Sequence, residues 1–285
     1  MTFVGSSPVA KIVATRCRSL NKRVTALGGA KNHLVALQDC EAEGAASDIC
    51  VSFAGCAGQR CMAASVLLLD GPQEALMSKL VEKATKIEPG SGPGQMGPVI
   101  DGGSYQKILK YIELAEKNGA KILLDGRSWK KDSGNWIGPT IIQHHSPEDK
   151  TMKEEVFGPV LSVYEVKSWE EAISIENGNP FGNAASIYTT SGGNAEWFTQ
   201  RFRASMLGIN IGIPVPREPF SFGGLYGTLS KYGDMDITGD GAMEFFSNRI
   251  KVTSKWPLTR TAAPAETPPT NGSSNVDHAN FAGRM

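Results

Sequence analysis

The chain carries no excess of either charge, because its 29 lysines and arginines balance its 29 aspartates and glutamates over 285 residues. Without an excess of positive charge there is no electrostatic attraction for nucleic acid or an anionic membrane surface, so neither is expected as a partner. No apolar run approaches the roughly 18 residues that span a bilayer. The composition, 40% hydrophobic and 20% charged, instead predicts a globular protein that handles a small molecule.

Metal-binding patterns are also scarce. The four histidines are scattered along the chain, none at metal-ligand spacing from a cysteine, so no metal site is expected. Two of them, His144 and His145, follow a predicted strand at a turn, and we expect both to be solvated. Five cysteines without a secretory signal favour free thiols in a reducing compartment over a disulfide framework.

The first residues, MTFVGSSPVAKIV, have neither a basic region before an apolar stretch nor an Arg-rich, Ser-rich amphipathic pattern. We therefore expect neither a secretory signal nor a mitochondrial leader. The pattern instead indicates a strand at 2–4, a glycine turn, and a helix from Pro8 to about Arg18 with Ser6 or Ser7 as its N-cap.

Apolar runs and helical stretches alternate beyond this point. The sequence predicts strands at 23–27, 34–37, 66–69, 121–124, 140–143, 161–166, 185–188 and 208–211, and helices at 39–54, 73–85, 104–118, 169–177 and 195–202. This alternation predicts an α/β fold with an open, at least partly parallel sheet. From residue 257 the composition shifts to Thr, Pro, Ala, Asn and Ser, which predicts a disordered tail.

The segment Gly55-Cys56-Ala57-Gly58-Gln59-Arg60-Cys61 combines small residues, a cation and a thiol. Glycines let a backbone approach a ligand closely, and a positive charge beside a thiol lowers its pKa and favours the reactive thiolate. On chemistry alone Cys61 fits either a nucleophile or a buried, inert cysteine. We expect Cys17, Cys40 and Cys50 to be of the inert kind.

Gly58-Gln59-Arg60-Cys61 resembles the active-site signature of the aldehyde dehydrogenase superfamily, and other segments resemble that family in the same order. Phe3-Val4-Gly5-Ser6 resembles its strand and glycine turn at the cofactor pyrophosphate. Glu154 to Pro159 resembles its Glu-Glu-x-Phe-Gly-Pro segment, whose second Glu holds the nicotinamide ribose. Asn179 to Gly182 and Phe220 to Gly224 match later landmarks. The resemblance, which covers about residues 1–255, implies that Cys61 is the nucleophile and that NAD meets Gly5, Ser6, Glu155 and Phe157.

Gly29 to His33, Arg60, Met62 and Pro214 to Pro216 resemble the methylmalonate- and malonate-semialdehyde dehydrogenases. Most aldehyde dehydrogenases place a water-activating Glu where this chain has Ala26 or Leu27. Without that base a better nucleophile must release the acyl group, and the resemblance implies that coenzyme A does so. Arg60 either recognises the carboxylate of the semialdehyde substrate or forms an internal salt bridge that shapes the loop.

The resemblance further implies a remnant of a Rossmann-type NAD-binding domain at 1–34, a catalytic domain at 35–225, an oligomerisation segment at 226–255 and the disordered tail at 256–285. It implies a homotetramer and a mitochondrial role in valine and pyrimidine catabolism, while the unremarkable N-terminus leaves a cytoplasmic location open. Three hypotheses remain: a truncated CoA-acylating enzyme, a hydrolytic aldehyde dehydrogenase, and a non-catalytic partner of full-length subunits.

Overall fold

The computed structural model describes residues 1–129, 134–217 and 219–255. The predicted disordered tail lies outside these residues. Residues 1–246 form one compact unit, and 247–255 belong to a second unit without helix or strand in its described part.

The strands found in the described residues fall into two sheets. They are β1 (Thr2–Val4), β2 (Thr25–Leu27), β3 (Asn32–Ala36), β4 (Ala64–Asp70), β5 (Lys121–Leu124), β6 (Thr140–Gln143), β7 (Val160–Val166), β8 (Ala184–Tyr188), β9 (Met206–Ile209) and β10 (Lys231–Tyr232). The larger sheet has the order β5-β6-β7-β4-β3-β8-β9, and the smaller has the order β1-β2-β10. In the larger sheet only the β5–β6 pair is antiparallel. The predicted α/β class and its partly parallel sheet are confirmed.

Helices cover both faces of the larger sheet, which is why its central strands are mostly apolar. The helices are α1 (Ser7–Ser19), α2 (Ala42–Ala54), α3 (Glu74–Thr85), α4 (Gly102–Lys117), α5 (Lys150–Lys153), α6 (Trp169–Gly178), α7 (Gly192–Thr199) and α8 (Gly239–Phe246). On one face, α2 and α3 pack Phe53, Leu76 and Leu80 against Leu67 and Leu69. On the other, α6 and α7 pack Ala172 and Phe198 against Val35 and Leu68. None of the described helices combines the length and apolarity needed to cross a membrane.

Helix α2 begins at Ala42, three residues later than predicted, because Asp39 has other partners. Its carboxylate accepts hydrogen bonds from the Thr189 hydroxyl at 2.8 Å and the Thr190 N–H at 3.1 Å, at the end of β8. Glu41 is the N-cap instead, accepting from the Glu43 N–H at 2.8 Å and the Gly44 N–H at 2.6 Å. The first residues after β3 therefore tie β3 to β8 before the helix starts.

The prediction that His144 is solvated was wrong. Its side chain is buried at the end of β6, 4% exposed, with Nε2 lying 3.2 Å from the Ser162 hydroxyl. Burial lowers the pKa of His144 to about 4, so the ring is neutral at physiological pH. His145, the next residue, is exposed as expected.

Candidate active site

A cavity of about 690 Å³ lies between the two sheets. The carboxyl ends of β1 and β2 reach it from the small sheet through Gly5 and Gly28. The large sheet reaches it at the amino end of β4, where Cys61 precedes Ala64. The cavity brings together every residue predicted for the site: Gly5, Ser6, Arg60, Cys61, Glu155 and Phe157.

The loop that carries Cys61 leaves α2 through a strained turn. Cys56 and Ala57 adopt left-handed backbone conformations with φ of 54° and 53°, and Gly58 follows at 67°. For residues with a side chain this conformation costs about 1–2 kcal/mol each. Gln59 stabilises the turn: its main-chain N–H and its side-chain amide both donate to the Cys56 carbonyl at 3.1 Å. Its Oε1 accepts from the Ile100 N–H at 2.9 Å, which ties the loop to the segment before α4.

Arg60 turns back towards α2. Its Nη2 donates to the carbonyls of Val51 and Ser52, each at 3.0 Å, and so caps the negative end of that helix. Among the described residues Arg60 has no salt-bridge partner; its Nη2 bonds carbonyl oxygens instead of a carboxylate. Because Arg60 also lines the cavity, recognition of a substrate carboxylate stays a prediction.

The Cys61 thiol is partly buried, and its pKa is raised above the ordinary cysteine value. Burial is the largest cause and the nearby Glu155 carboxylate is the second, while the main-chain N–H groups of Cys61 and Met62, and then Arg60, act in the opposite direction. The expectation that Arg60 makes this a low-pKa thiol was wrong, because desolvation outweighs a guanidinium that is turned towards α2. In this state the sulfur is a thiol at neutral pH.

Glu155 lies against the glycine turn that follows β2. Its Oε1 accepts a hydrogen bond from the Ala30 N–H at 2.8 Å, and a Cβ on Gly29 would approach its Cδ to 3.0 Å. Glycine at this position lets the carboxylate sit close to the backbone. Burial raises the pKa of Glu155, and the Ala30 hydrogen bond, Lys107 and Lys31 partly offset that effect. Phe157, two residues on, is 42% exposed with φ of 58°.

Lys31 lies beneath the site and was not predicted as part of it. Its ammonium group is buried and donates to the Thr151 carbonyl at 2.6 Å. Burial lowers the pKa of Lys31 to about 7, and the Glu155 carboxylate partly opposes this.

The N-terminus of α1 forms the opposite wall. Gly5 and Ser6 line the cavity; Ser6 is the N-cap, its side chain makes no hydrogen bond to the first turn, and that turn holds no acidic residue. A 13-residue helix with free N–H groups at its positive end suits an anion such as a pyrophosphate. The Ser7 hydroxyl holds the facing turn, accepting from the Gly29 N–H at 2.9 Å and donating to the Leu229 carbonyl at 2.7 Å. The residues present therefore fit the pyrophosphate and ribose portion of a dinucleotide.

The other cysteines lie in different surroundings. Cys17 and Cys50 are buried, Cys40 is partly buried, Cys56 is exposed, and all five cysteines are free thiols. Burial raises the pKa of both Cys40 and Cys50. Met62 and Met206 pack together beside Cys61.

The sequence matches the model of the aldehyde dehydrogenase family over residues 1–252, and the chain belongs to that family. It is 40% identical over 262 residues to malonate-semialdehyde dehydrogenase 2 of Geobacillus kaustophilus, covering 90% of this chain and 54% of that relative. It is 41% identical to malonate-semialdehyde dehydrogenase of Halalkalibacterium halodurans, covering 90% and 53%.

Solved structures agree with these relatives. Methylmalonate-semialdehyde dehydrogenase from Oceanimonas doudoroffii superposes with a TM-score of 0.86 at 36% identity, covering 90% of this chain and 54% of that one. A structure from Sinorhizobium meliloti 1021, described as a methylmalonate-semialdehyde dehydrogenase complexed with NAD, superposes with a TM-score of 0.86 at 35% identity, covering 91% and 54%. The chain thus spans about half the length of the relatives it matches.

Proposed function

We propose that this chain carries the thiol half of a CoA-acylating methylmalonate- or malonate-semialdehyde dehydrogenase, with Cys61 as the nucleophile. The observation that carries the proposal is the convergence of Cys61, Glu155, Phe157 and the N-terminus of α1 on one cavity. Relatives named for semialdehyde oxidation at about 40% identity support it.

In the proposed reaction the Cys61 thiol gives its proton to solvent, and its sulfur forms a bond to the aldehyde carbon, whose carbonyl electrons move to oxygen. The main-chain N–H groups of Cys61 and Met62 stabilise the negative charge of the thiolate before it attacks. NAD, when bound, supplies the acceptor for the hydride that leaves this carbon. Gly5 and Ser6 would hold its pyrophosphate, and Glu155 would hold a ribose hydroxyl next to the thiol.

The acyl group on Cys61 must then be transferred. Among the described residues that line the cavity, Glu155 alone carries a carboxylate, and one of its oxygens is already bonded to the Ala30 N–H. The end of β2 holds Ala26 and Leu27, both buried, where most family members place their base. The substrate carboxylate would leave as carbon dioxide, and the carbon that it leaves would take up a proton from solvent. The CoA thiolate would attack the acyl carbon and expel the Cys61 thiolate. If Glu155 activated water instead, the enzyme would be a hydrolytic aldehyde dehydrogenase. A chain that transfers the acyl group neither to CoA nor to water would be a non-catalytic partner of full-length subunits.

The homotetramer, the mitochondrial location and the catabolic role are proposals of the same kind. Met243 and Phe246 on α8 are 70% and 69% exposed, which supports association through this segment. The compartment and the pathway rest on the family resemblance, and the domain boundaries at residues 34 and 225 also stay predictions.

The exchange half of the reaction can be tested on this chain without NAD. With propionyl-CoA, the Cys61 sulfur should attack the thioester carbonyl, form propionyl-Cys61 and release CoA. Peptide mass spectrometry should find the propionyl group on Cys61 and not on the exposed Cys56, and Cys61→Ala should abolish the adduct. Absence of an adduct at Cys61, or equal labelling of Cys56, would contradict the proposal.

A further inference from the structure

Two buried side-chain amides converge on the main chain of the Cys61 loop. Asn32 Nδ2 donates to the Cys61 carbonyl at 2.8 Å and to the Ala63 carbonyl at 2.8 Å. Asn183 Nδ2 donates to the same Cys61 carbonyl at 3.0 Å and lies 3.1 Å from the Met62 sulfur. The two asparagines are 1% and 6% exposed. The carbonyl oxygen of Cys61, the residue that carries the sulfur, therefore accepts two amide donors.

The orientation of that carbonyl also sets a donor to the sulfur. The Cys61 C=O and the Met62 N–H belong to one planar peptide and point in opposite directions. The Met62 N–H is one of the groups that lower the pKa of the Cys61 thiol. Holding the oxygen on one side thus also fixes the direction of the N–H on the other side, which acts on the sulfur.

Both amides are held by regular structure, whereas the loop itself is strained. Asn32 begins β3, and its Oδ1 accepts from the Ala184 N–H at 3.2 Å, so it links β3 to the start of β8. Asn183 directly precedes β8. The loop contains the left-handed residues Cys56 and Ala57, a conformation that persists only where surrounding contacts impose it. The rigid sheet therefore sets the geometry of a loop that would otherwise relax.

We propose that Asn32 and Asn183 are positioning residues for Cys61: by fixing its carbonyl oxygen they direct the Met62 N–H at the sulfur. That donor favours the thiolate over the thiol, and it stays in place while the sulfur attacks and leaves. The inference rests on the proposed role of Cys61 as the nucleophile. It assigns a function to two residues that belong to neither the cysteine signature nor the cofactor-binding segments.

The test is the pH dependence of Cys61 alkylation by iodoacetamide in the chain as it stands. Asn183→Leu keeps most of the side-chain volume and removes the donor. Asn32 still holds the Cys61 carbonyl in this variant, so the Met62 N–H should lose part of its alignment with the sulfur. Complete loss of a hydrogen bond to a charged group is worth about one pKa unit, so the apparent pKa should rise by up to about one unit and the rate at neutral pH should fall by up to about tenfold. The rate at high pH, where the thiol is fully ionised, should stay unchanged.

Two further variants separate positioning from structural support. Asn183→Asp keeps the shape but replaces the donor by an acceptor, so it should raise the apparent pKa at least as much as Asn183→Leu. Asn194→Ala, on α7, should leave the profile unchanged. A lower unfolding midpoint with an unaltered pH profile would overturn the inference and leave Asn183 with a structural role. Failure of the proposed function has a separate signature: propionyl-CoA would leave no propionyl group on Cys61 of the unsubstituted chain.

Discussion

Gly58 is where the Cys61 loop touches the segment that follows Glu155. Its φ is 67°, and a Cβ built on it would overlap the Gly158 carbonyl and lie 2.8 Å from the Pro159 nitrogen. Both neighbours are backbone, so no side-chain rotation relieves the contact. We expect Gly58→Ala to push the loop away from residues 158–159 and to move Cys61 relative to Glu155.

The expected cost has two parts. A left-handed alanine costs about 1–2 kcal/mol, and an overpacked contact that forces backbone apart adds about 1–3 kcal/mol. The free energy of unfolding should fall by roughly 2–5 kcal/mol, a substantial part of the roughly 5–15 kcal/mol of a typical domain. Gly94 is a matched control: its φ is 77°, and an added Cβ meets nothing within 4 Å. Gly94→Ala should therefore show only the conformational part, about 1–2 kcal/mol.

Urea unfolding of both variants measures these costs, and iodoacetamide labelling measures the effect on the thiol. Gly58→Ala should be clearly the less stable variant, and its Cys61 labelling rate should change, while labelling in Gly94→Ala should match the unsubstituted chain. If Gly58→Ala costs no more than Gly94→Ala and labels normally, the close approach inferred between the loop and residues 158–159 is wrong.

Two other predictions concern stability and cofactor binding. Burial raises the pKa of Glu176 from 4.5 to about 7, so the folded state keeps a proton that the unfolded chain releases, and stability falls as pH rises between these values. In urea unfolding, Glu176→Gln should raise the free energy of unfolding by roughly 3 kcal/mol at pH 8 and by almost nothing near pH 4.5. The exposed Glu170→Gln should leave the free energy of unfolding unchanged at both pH values. A gain that does not depend on pH would show that the charge of the buried carboxylate is not its cause. This chain should bind NAD poorly in calorimetry, because β1-β2-β10 supplies one helix N-terminus where a dinucleotide site uses several strand–helix units; micromolar affinity would contradict this.

Local patterns predicted much of the fold. The bounds of β1, β5 and β6 match the prediction, since apolar runs between turn residues define them. The short α5, β10 and α8 were not predicted. Strand β10 has two residues, and it exists because Lys231 and Tyr232 pair with β2, some 200 residues earlier in the chain. No local pattern contains that pairing.

The candidate site likewise contains residues that local motifs predict and residues that only the tertiary structure brings together. The motifs identified six of the residues that line the cavity, because glycines, a thiol and a carboxylate in fixed order form a recognisable signature. Adjacency of Arg60 to Cys61 suggested a low thiol pKa, but the direction of the Arg60 side chain and the burial of the sulfur depend on tertiary packing. Asn32 and Asn183 were missed for the same reason: 151 positions separate them, and the sheet brings both to one carbonyl.

We propose that acyl-Cys61 is released to coenzyme A rather than to water, and p-nitrophenyl propionate tests this step without NAD. Its attack by Cys61 releases p-nitrophenol and leaves propionyl-Cys61, so the colour reports acylation and turnover reports deacylation. We predict a burst of about one equivalent that stalls in buffer and becomes continuous turnover, with propionyl-CoA as product, when CoA is added. Steady turnover at the same rate with and without CoA would contradict release of the acyl group to CoA.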